Sequence, residues 1–431
     1  MNKVRVTSPD CGNGKGSAVS RRRALQAGGL GLLGMTLPRL SHGEPQDRPK
    51  PKPVAAITTS WYSTSHADVL IGKILEGYDH LGGPGPQLTV PALFLDQVLS
   101  NDIGVAKAKQ YNVTLAKTIE ECITLGTGSV AVEGVLIIGE LGSYPRNTKG
   151  QIVYPRPRMF EDVVATFEKY DKVVPVFNDK HLAYNWHNAK WIYDTAVSMR
   201  IPFMAGSSLP VFYRDPPLWL PMGCEVEEAM VIGYSDLDHY GFHTMEALQC
   251  QLERRKGGET GVKSVQTLTG DEVWEAEKQG RWSRDLYDAI MATFPAESRG
   301  RAEDKLGSGE FVFIEYSDGT KATIANLNKN SEWGIAARLK GQAKPLACRY
   351  YGLYHEGFPV FANQLRAIEK MILTGKPSYP VERTLLSGGI IDSAVTSRFE
   401  FHRRRETPHL SNIHYAPGDY PFPAGQPRRG G

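Results

Sequence analysis

Residues 173–210 read VVPVFNDKHLAYNWHNAKWIYDTAVSMRIPFMAGSSLP, and this stretch decides the fold. Val173, Val174, Val176 and Phe177 form a short apolar run, the pattern of a strand buried on both faces. The run stops at Asn178-Asp179-Lys180-His181, four polar groups in a row. Over 184–200 the apolar residues Ala189, Ile192, Tyr193, Ala196 and Met199 recur at helical spacing. A second apolar run, 202–205, ends in Gly206-Ser207-Ser208. Polar groups clustered just past the ends of parallel strands are where open α/β sheets bind ligands. As caps of the next helix, Asn178 and Asp179 would be ordinary. Lys180 would not, because the helix dipole disfavours a cation at a helix N-terminus. Lys180 is therefore read as functional.

Upstream, strand and helix patterns alternate. Strands are expected at 54–58, 88–95 (ending at Asp96), 113–115 and 132–138, with helices at 67–78, 102–111, 119–125 and 159–170. Such alternation implies a parallel sheet covered on both faces, and right-handed crossovers make it doubly wound. A Rossmann-like domain is expected over 54–214. Downstream, strands at 226–232, 262–267, 333–339 and 345–351 surround a hairpin, 311–316 and 321–327, turned by Ser317-Asp318-Gly319. Helices are expected at 239–255, 282–294 and 361–373. This is the pattern of a second α/β domain, 215–406, with an open, mainly antiparallel sheet. A Pro- and Gly-rich tail follows, 407–431.

The first 43 residues read as an export signal. Arg21-Arg22-Arg23 after Ser20 precedes a short Gly-rich apolar run, 27–37, and then small residues around Ser41 and Gly43. The arginines resemble the twin-arginine type, which implies export machinery as a partner. Residues 44–53 are a stiff Pro-rich linker. Net charge is +3 over 431 residues and the arginines crowd the termini, so no central basic face for nucleic acid is indicated. None of the five cysteines forms a C-x-x-C pair, which excludes a zinc knuckle.

The first strand–helix turn is where a dinucleotide pyrophosphate would sit. It reads Thr58-Thr59-Ser60-Trp61-Tyr62-Ser63-Thr64-Ser65-His66, with no glycine. The glycines of the fingerprint allow a tight turn and close approach of backbone to phosphate. Here two large aromatics occupy the loop, which counts against a nucleotide, although its hydroxyls can still hydrogen-bond one.

The chain resembles the glucose–fructose oxidoreductase / inositol dehydrogenase (Gfo/Idh/MocA) family in the order of its elements and in local motifs. With His66 on the family's histidine after the glycine turn, Thr58, Ser60 and Ser63 fall on the three glycine positions. Asn178-Asp179-Lys180-His181 resembles the Glu-Lys-Pro signature, with Lys180 on its lysine. His239-Tyr240-Gly241-Phe242-His243-Thr244-Met245-Glu246 resembles Asp-x-Gly-x-His-x-x-Asp, with Glu246 in place of the last acid and His239 in place of the first. The late helix 381–397, with Glu382-Arg383-Thr384, is also similar. The resemblance implies a Rossmann domain followed by an open-sheet domain, often covered by another subunit, so a homo-oligomer is expected. It also implies an NAD- or NADP-dependent oxidation of a sugar, glycoside or cyclic polyol.

On that reading Lys180 and His243 carry the proton. Thr58, Ser60, Ser63, Asp96, Asp179 and Lys180 hold the cofactor, and an acid at Asp96 favours NAD over NADP. His181, Ser207, Arg214, Tyr240 and Glu246 orient the carbohydrate or polyol. An exported dehydrogenase would keep its cofactor tightly bound, with Trp61 and Tyr62 as covers. Three alternatives stand beside it. The chain is a non-catalytic carbohydrate-binding or scaffold protein, or it cleaves glycosides through transient oxidation. In the third, His239, His243 and Glu246, spaced i, i+4, i+7, hold a metal, but the motif is weak and no metal is assigned.

Overall fold

The computed structural model describes residues 50–354 and 357–418. The stretch expected to be an export signal and most of the expected tail lie outside them.

A six-stranded parallel sheet is built from β1 (Lys52–Thr58), β2 (Leu88–Leu95), β3 (Thr114–Leu115), β4 (Gly134–Ile138), β5 (Val176–Asp179) and β6 (Phe203–Gly206). Its order is β3-β2-β1-β4-β5-β6. The crossovers carry α1 (His66–Glu76), α2 (Gly104–Gln110), α3 (Ile119–Thr124), α4 (Arg156–Lys169) and α5 (Trp186–Ser198). Val54, Ala55, Ala56 and Ile57 of β1 have no exposed surface, nor do Val135 and Ile137 of β4. Helices on both faces leave these strands no polar side, hence the continuous apolar runs. Strand order reverses between β1 and β4, and a crevice opens there at the carboxyl ends of the strands.

The second sheet has eight strands: β7 (Tyr213–Asp215), β8 (Val226–Tyr234), β9 (Val262–Thr269), β10 (Glu310–Tyr316), β11 (Lys321–Leu327), β12 (Trp333–Leu339), β13 (Leu346–Tyr351) and β14 (Arg405–Glu406). Their order is β14-β9-β10-β11-β8-β12-β13-β7, antiparallel except for the pair β8–β11. Six helices join them: α6 (Gly241–Leu252), α7 (Asp271–Lys278), α8 (Arg284–Thr293), α9 (Ala302–Leu306), α10 (Pro359–Thr374) and α11 (Glu382–Phe399). The fold is thus the expected one, an N-terminal Rossmann-like sheet followed by a mainly antiparallel sheet. Helices α7 and α9 have no counterpart in the sequence reading. Helix α6 is buried along its whole length, against β8 and α11. Helix α11 also contacts α5 and β6, so the two sheets share one interior.

Two boundaries matter for the site. The strand expected to begin at Val173 begins at Val176, because Pro175 has no N–H to enter the ladder, while its carbonyl accepts from Val135 at 2.9 Å. The strand then runs on through Asn178 and Asp179, which pair with Ala205 and Gly206 of β6. They are strand residues and not helix caps; the cap of α5 is Asn185, whose side chain accepts from the Asn188 N–H at 2.8 Å. The helix expected from 239 starts at Gly241, after a turn in which the His239 N–H donates to Asp236 Oδ1 at 2.7 Å.

Candidate active site

Three strand ends deliver the polar groups. The turn after β1 presents His66, the chain after β4 presents Glu140, and the end of β5 presents Asp179 and Lys180. Lys180 has a left-handed backbone, φ 61°, unusual for a residue with a Cβ, while its N–H donates to the Gly206 carbonyl at 3.1 Å. The kink turns its side chain away from the sheet plane and onto Glu140, with which it forms an ion pair. Gly206, φ 129°, has no room for a Cβ, which would lie 2.8 Å from Glu246 Oε2.

His66 Nδ1 lies 2.7 Å from Asp179 Oδ2 and 3.5 Å from Glu140 Oε1. Asp179 and Glu140 are buried, as is Lys180. Burial by itself would raise the Glu140 carboxyl, but His66 and Lys180 outweigh it and hold the group down to about 2. Buried charges persist only when paired in this way.

These groups face a cleft of about 410 Å³ whose other wall comes from the second sheet and α6. That wall is aromatic. Tyr234 and Trp333 have ring centroids 4.3 Å apart, and Tyr240 stacks on Trp333 at 6.1 Å with 12° between planes. Burial, with Glu140 second, raises Tyr62 and Tyr240, so both stay neutral phenols able to donate. His239 is lowered to about 4 by burial and then by Lys180. His243 is pushed well below the usual range by the same two causes, and its Nδ1 shares a 2.5 Å hydrogen bond with Ser207 Oγ. Apolar faces with a few convergent polar groups suit a polyhydroxylated ring, whose C–H faces stack and whose hydroxyls donate and accept. A smaller hollow of about 320 Å³ lies on the second sheet, lined by Gln266, Arg281, Phe313, Glu315, Lys321 and Arg404 and away from the strand ends of the first sheet.

The sequence-derived candidates divide. Lys180, His243 and Tyr240 line the cleft together. Ser207 reaches it through His243, and Asp179 lies beneath His66. His181 faces the interior instead, where its Nδ1 accepts from Arg156 at 3.1 Å. Arg214 is fully buried; its guanidinium lies 3.8 Å from the Trp219 ring and donates to the Pro210 carbonyl at 2.9 Å. Glu246 is fully buried beside Gly206 and Thr384. The expected i, i+4, i+7 face of His239, His243 and Glu246 does not form, since His239 precedes α6. Glu140 was missed by sequence reasoning. Its signal was an acid two residues past the apolar run of β4, at the strand end where ligands bind.

The expected nucleotide ligands lie in and around the turn that precedes α1. Thr58 Oγ1 donates to the Ile138 carbonyl at 3.0 Å, Ser60 is buried and Ser63 is exposed at the tip of the turn. The His66 N–H donates to Glu140 Oε1 at 3.1 Å, and the Asp68 N–H to Ser65 Oγ at 3.3 Å. Asp68 accepts from the Thr64 N–H at 2.9 Å and from Trp61 Nε1 at 3.1 Å. Donors that would meet a pyrophosphate are thus engaged, two of them by carboxylates whose charge would repel it. Asp96, the expected ribose acid, is paired with Arg158 and accepts from Tyr144 at 2.7 Å. Trp61 is buried inside the turn and covers no groove. The residues present do not fit a dinucleotide held in the fingerprint manner.

No family model matches the chain, and no curated protein matches its sequence. Solved structures do match in fold. A myo-inositol dehydrogenase from Lactobacillus casei, in complex with NAD(H) and myo-inositol, is similar over 82% of this chain and 96% of its own, with 11% identity and a TM-score of 0.52. The apo scyllo-inositol dehydrogenase from Lactobacillus casei matches 83% of this chain and 98% of its own at 10% identity, TM-score 0.52. GenD2 from gentamicin A biosynthesis, in complex with NAD, matches 83% and 96% at 12% identity, TM-score 0.50. The chain has the fold of NAD-dependent sugar and inositol dehydrogenases.

Proposed function

We propose that this chain binds a sugar, glycoside or cyclic polyol in the cleft and moves a proton on it through Lys180. The carrying observation is the junction of an aromatic wall with the buried Lys180–Glu140 and His66–Asp179 pairs. Glu140 holds the lysine at the cleft floor, and Asp179 holds His66 by Nδ1, leaving Nε2 as the nitrogen able to meet a ligand. A group so placed, held as an ammonium by Glu140, can give a proton to an oxygen that gains charge and take it back. His243 and Tyr240 orient the ring. Exported location, through the twin-arginine-type leader, and a homo-oligomer on the open sheet face belong to the same reading.

The test is direct. Trp333 lies in the wall, so sugars and cyclic polyols that bind should change intrinsic fluorescence. No response from such a panel at millimolar concentration would sink the proposal.

NAD(P)-dependent oxidation of a CH–OH group is the second reading. Strand order favours it, as do the inositol dehydrogenases of like fold, one of which binds NAD(H) and myo-inositol. The engaged donors of α1 count against it. Denaturing the purified protein and assaying released NAD(H) or NADP(H) decides. Nucleotide that co-purifies and resists dialysis restores oxidation as the reaction; its absence, with no binding of added cofactor, removes it and leaves the carbohydrate site intact.

A further inference from the structure

At the point where the fold would receive a phosphate, this chain gathers one imidazole and two carboxylates. Among the described residues, His66, Glu140 and Asp179 form the one group whose ligand atoms all lie within 4.8 Å of one another. Its two edges from His66 Nδ1, 2.7 Å to Asp179 Oδ2 and 3.5 Å to Glu140 Oε1, bracket the spacing of adjacent donors around a common ion. For bonds of about 2.1 Å that spacing runs from about 3.0 Å (octahedral) to about 3.4 Å (tetrahedral).

A separate observation points the same way. Asp179 has no exposed surface, and its Oδ1 has no hydrogen-bond partner. Glu140 Oε2, by contrast, is taken by the ion pair with Lys180. Buried carboxylate oxygens seldom go unsatisfied, and the free oxygen of a carboxylate whose other oxygen meets an imidazole is an open valence for a cation.

We infer that His66, Glu140 and Asp179 bind one divalent first-row cation of the Mn²⁺ or Zn²⁺ kind, open towards the cleft. One nitrogen with carboxylate oxygens suits these ions better than Ca²⁺, which takes six to eight oxygens. Binding replaces the Nδ1 proton of His66. It also draws Glu140 off Lys180, freeing the amine into the cleft beside whatever oxygen the cation polarises. Lys180 and the cation therefore compete for Glu140.

The chelator-treated full chain, titrated with MnCl₂ (free Mn²⁺ read by electron paramagnetic resonance) and with ZnCl₂ by calorimetry, tests this. One ion per chain is expected. Asp179→Asn keeps an acceptor for His66 and hence the fold, yet should weaken binding at least ~100-fold, beyond the loss typical of outer-shell changes. Lys180→Met removes the competitor and should tighten binding at least ~10-fold, since a like charge beside the site opposes a divalent ion. No binding by wild type at millimolar metal, or binding unchanged by Asp179→Asn, overturns the inference and leaves a structural His–Asp pair. The readout needs no substrate, so a wild type that binds metal but no sugar fails the proposed function alone, and one that binds sugar but no metal fails this inference alone.

Discussion

The start of α1 and the floor of the cleft share His66 and Glu140, yet they differ in kind. At the start of α1 the donors of Thr64, His66 and Asp68, and the indole of Trp61, each meet an acceptor. On the floor, Asp179 Oδ1 lacks a partner, Lys180 sits in a left-handed backbone and Glu140 lies between His66 and Lys180. Buried polar groups that satisfy one another are structure. Those left unsatisfied, at a strained residue, mark where something else is meant to bind. The fold's phosphate end has become scaffold, and the polar action has moved to the strand ends below it.

Five variants would break or sharpen that contrast. The largest effect is expected from the double variant Lys180→Met/Glu140→Gln. It removes both members of a buried pair, so neither charge is stranded, and turnover of any cleft substrate should fall ~10²–10⁴-fold. Lys180→Met alone should also lose up to about 3–5 kcal/mol in urea unfolding, because the buried Glu140 keeps only His66 beside it. A double variant with full turnover would return the pair to structure.

Trp61→Ala, at the other pole, should lose about 3–5 kcal/mol of stability while leaving the Kd of a cleft ligand unchanged. A changed Kd would tie the turn to the site.

Glu246→Gln probes the interior between the poles. Burial raises this carboxyl from 4.5 to about 7, against the pull of Arg383. The folded value lies above the unfolded one, so its contribution is fully present below about pH 4.5 and is lost as pH rises through about 7. Relative to wild type, the glutamine variant should gain about 2–3 kcal/mol between pH 5 and pH 8. Parallel pH profiles for the two proteins would refute this.

The smallest effect belongs to Ser65→Ala, which removes the N-cap of α1 and should lower the melting free energy by about 1 kcal/mol, with turnover untouched.

Much of the first sheet was readable in one dimension. Strand β2, at 88–95, and the hairpin of β10 and β11, at 311–316 and 321–327, fall where apolar runs and an Asp-Gly turn put them. Lys180 was readable because a strand-end polar residue stands out against a buried run, and Tyr240 and His243 because the motif 239–246 resembles one of the family's; all three line the cleft. Arg214 and His181 were not, since a polar residue after a strand looks alike whether it faces a cleft or stacks on Trp219 inside.

Sequence alone determined the two-sheet order, the missing glycines of the first turn and the odd cation after β5, all of which are local: periodicity, side-chain size and charge. Only the tertiary structure decided that Glu140 reaches across from β4 to take both the His66 amide and Lys180, and that Asp179 sits under His66 with an oxygen to spare. Those contacts join residues 74 and 113 positions apart along the chain, and no local pattern records a partner at that distance.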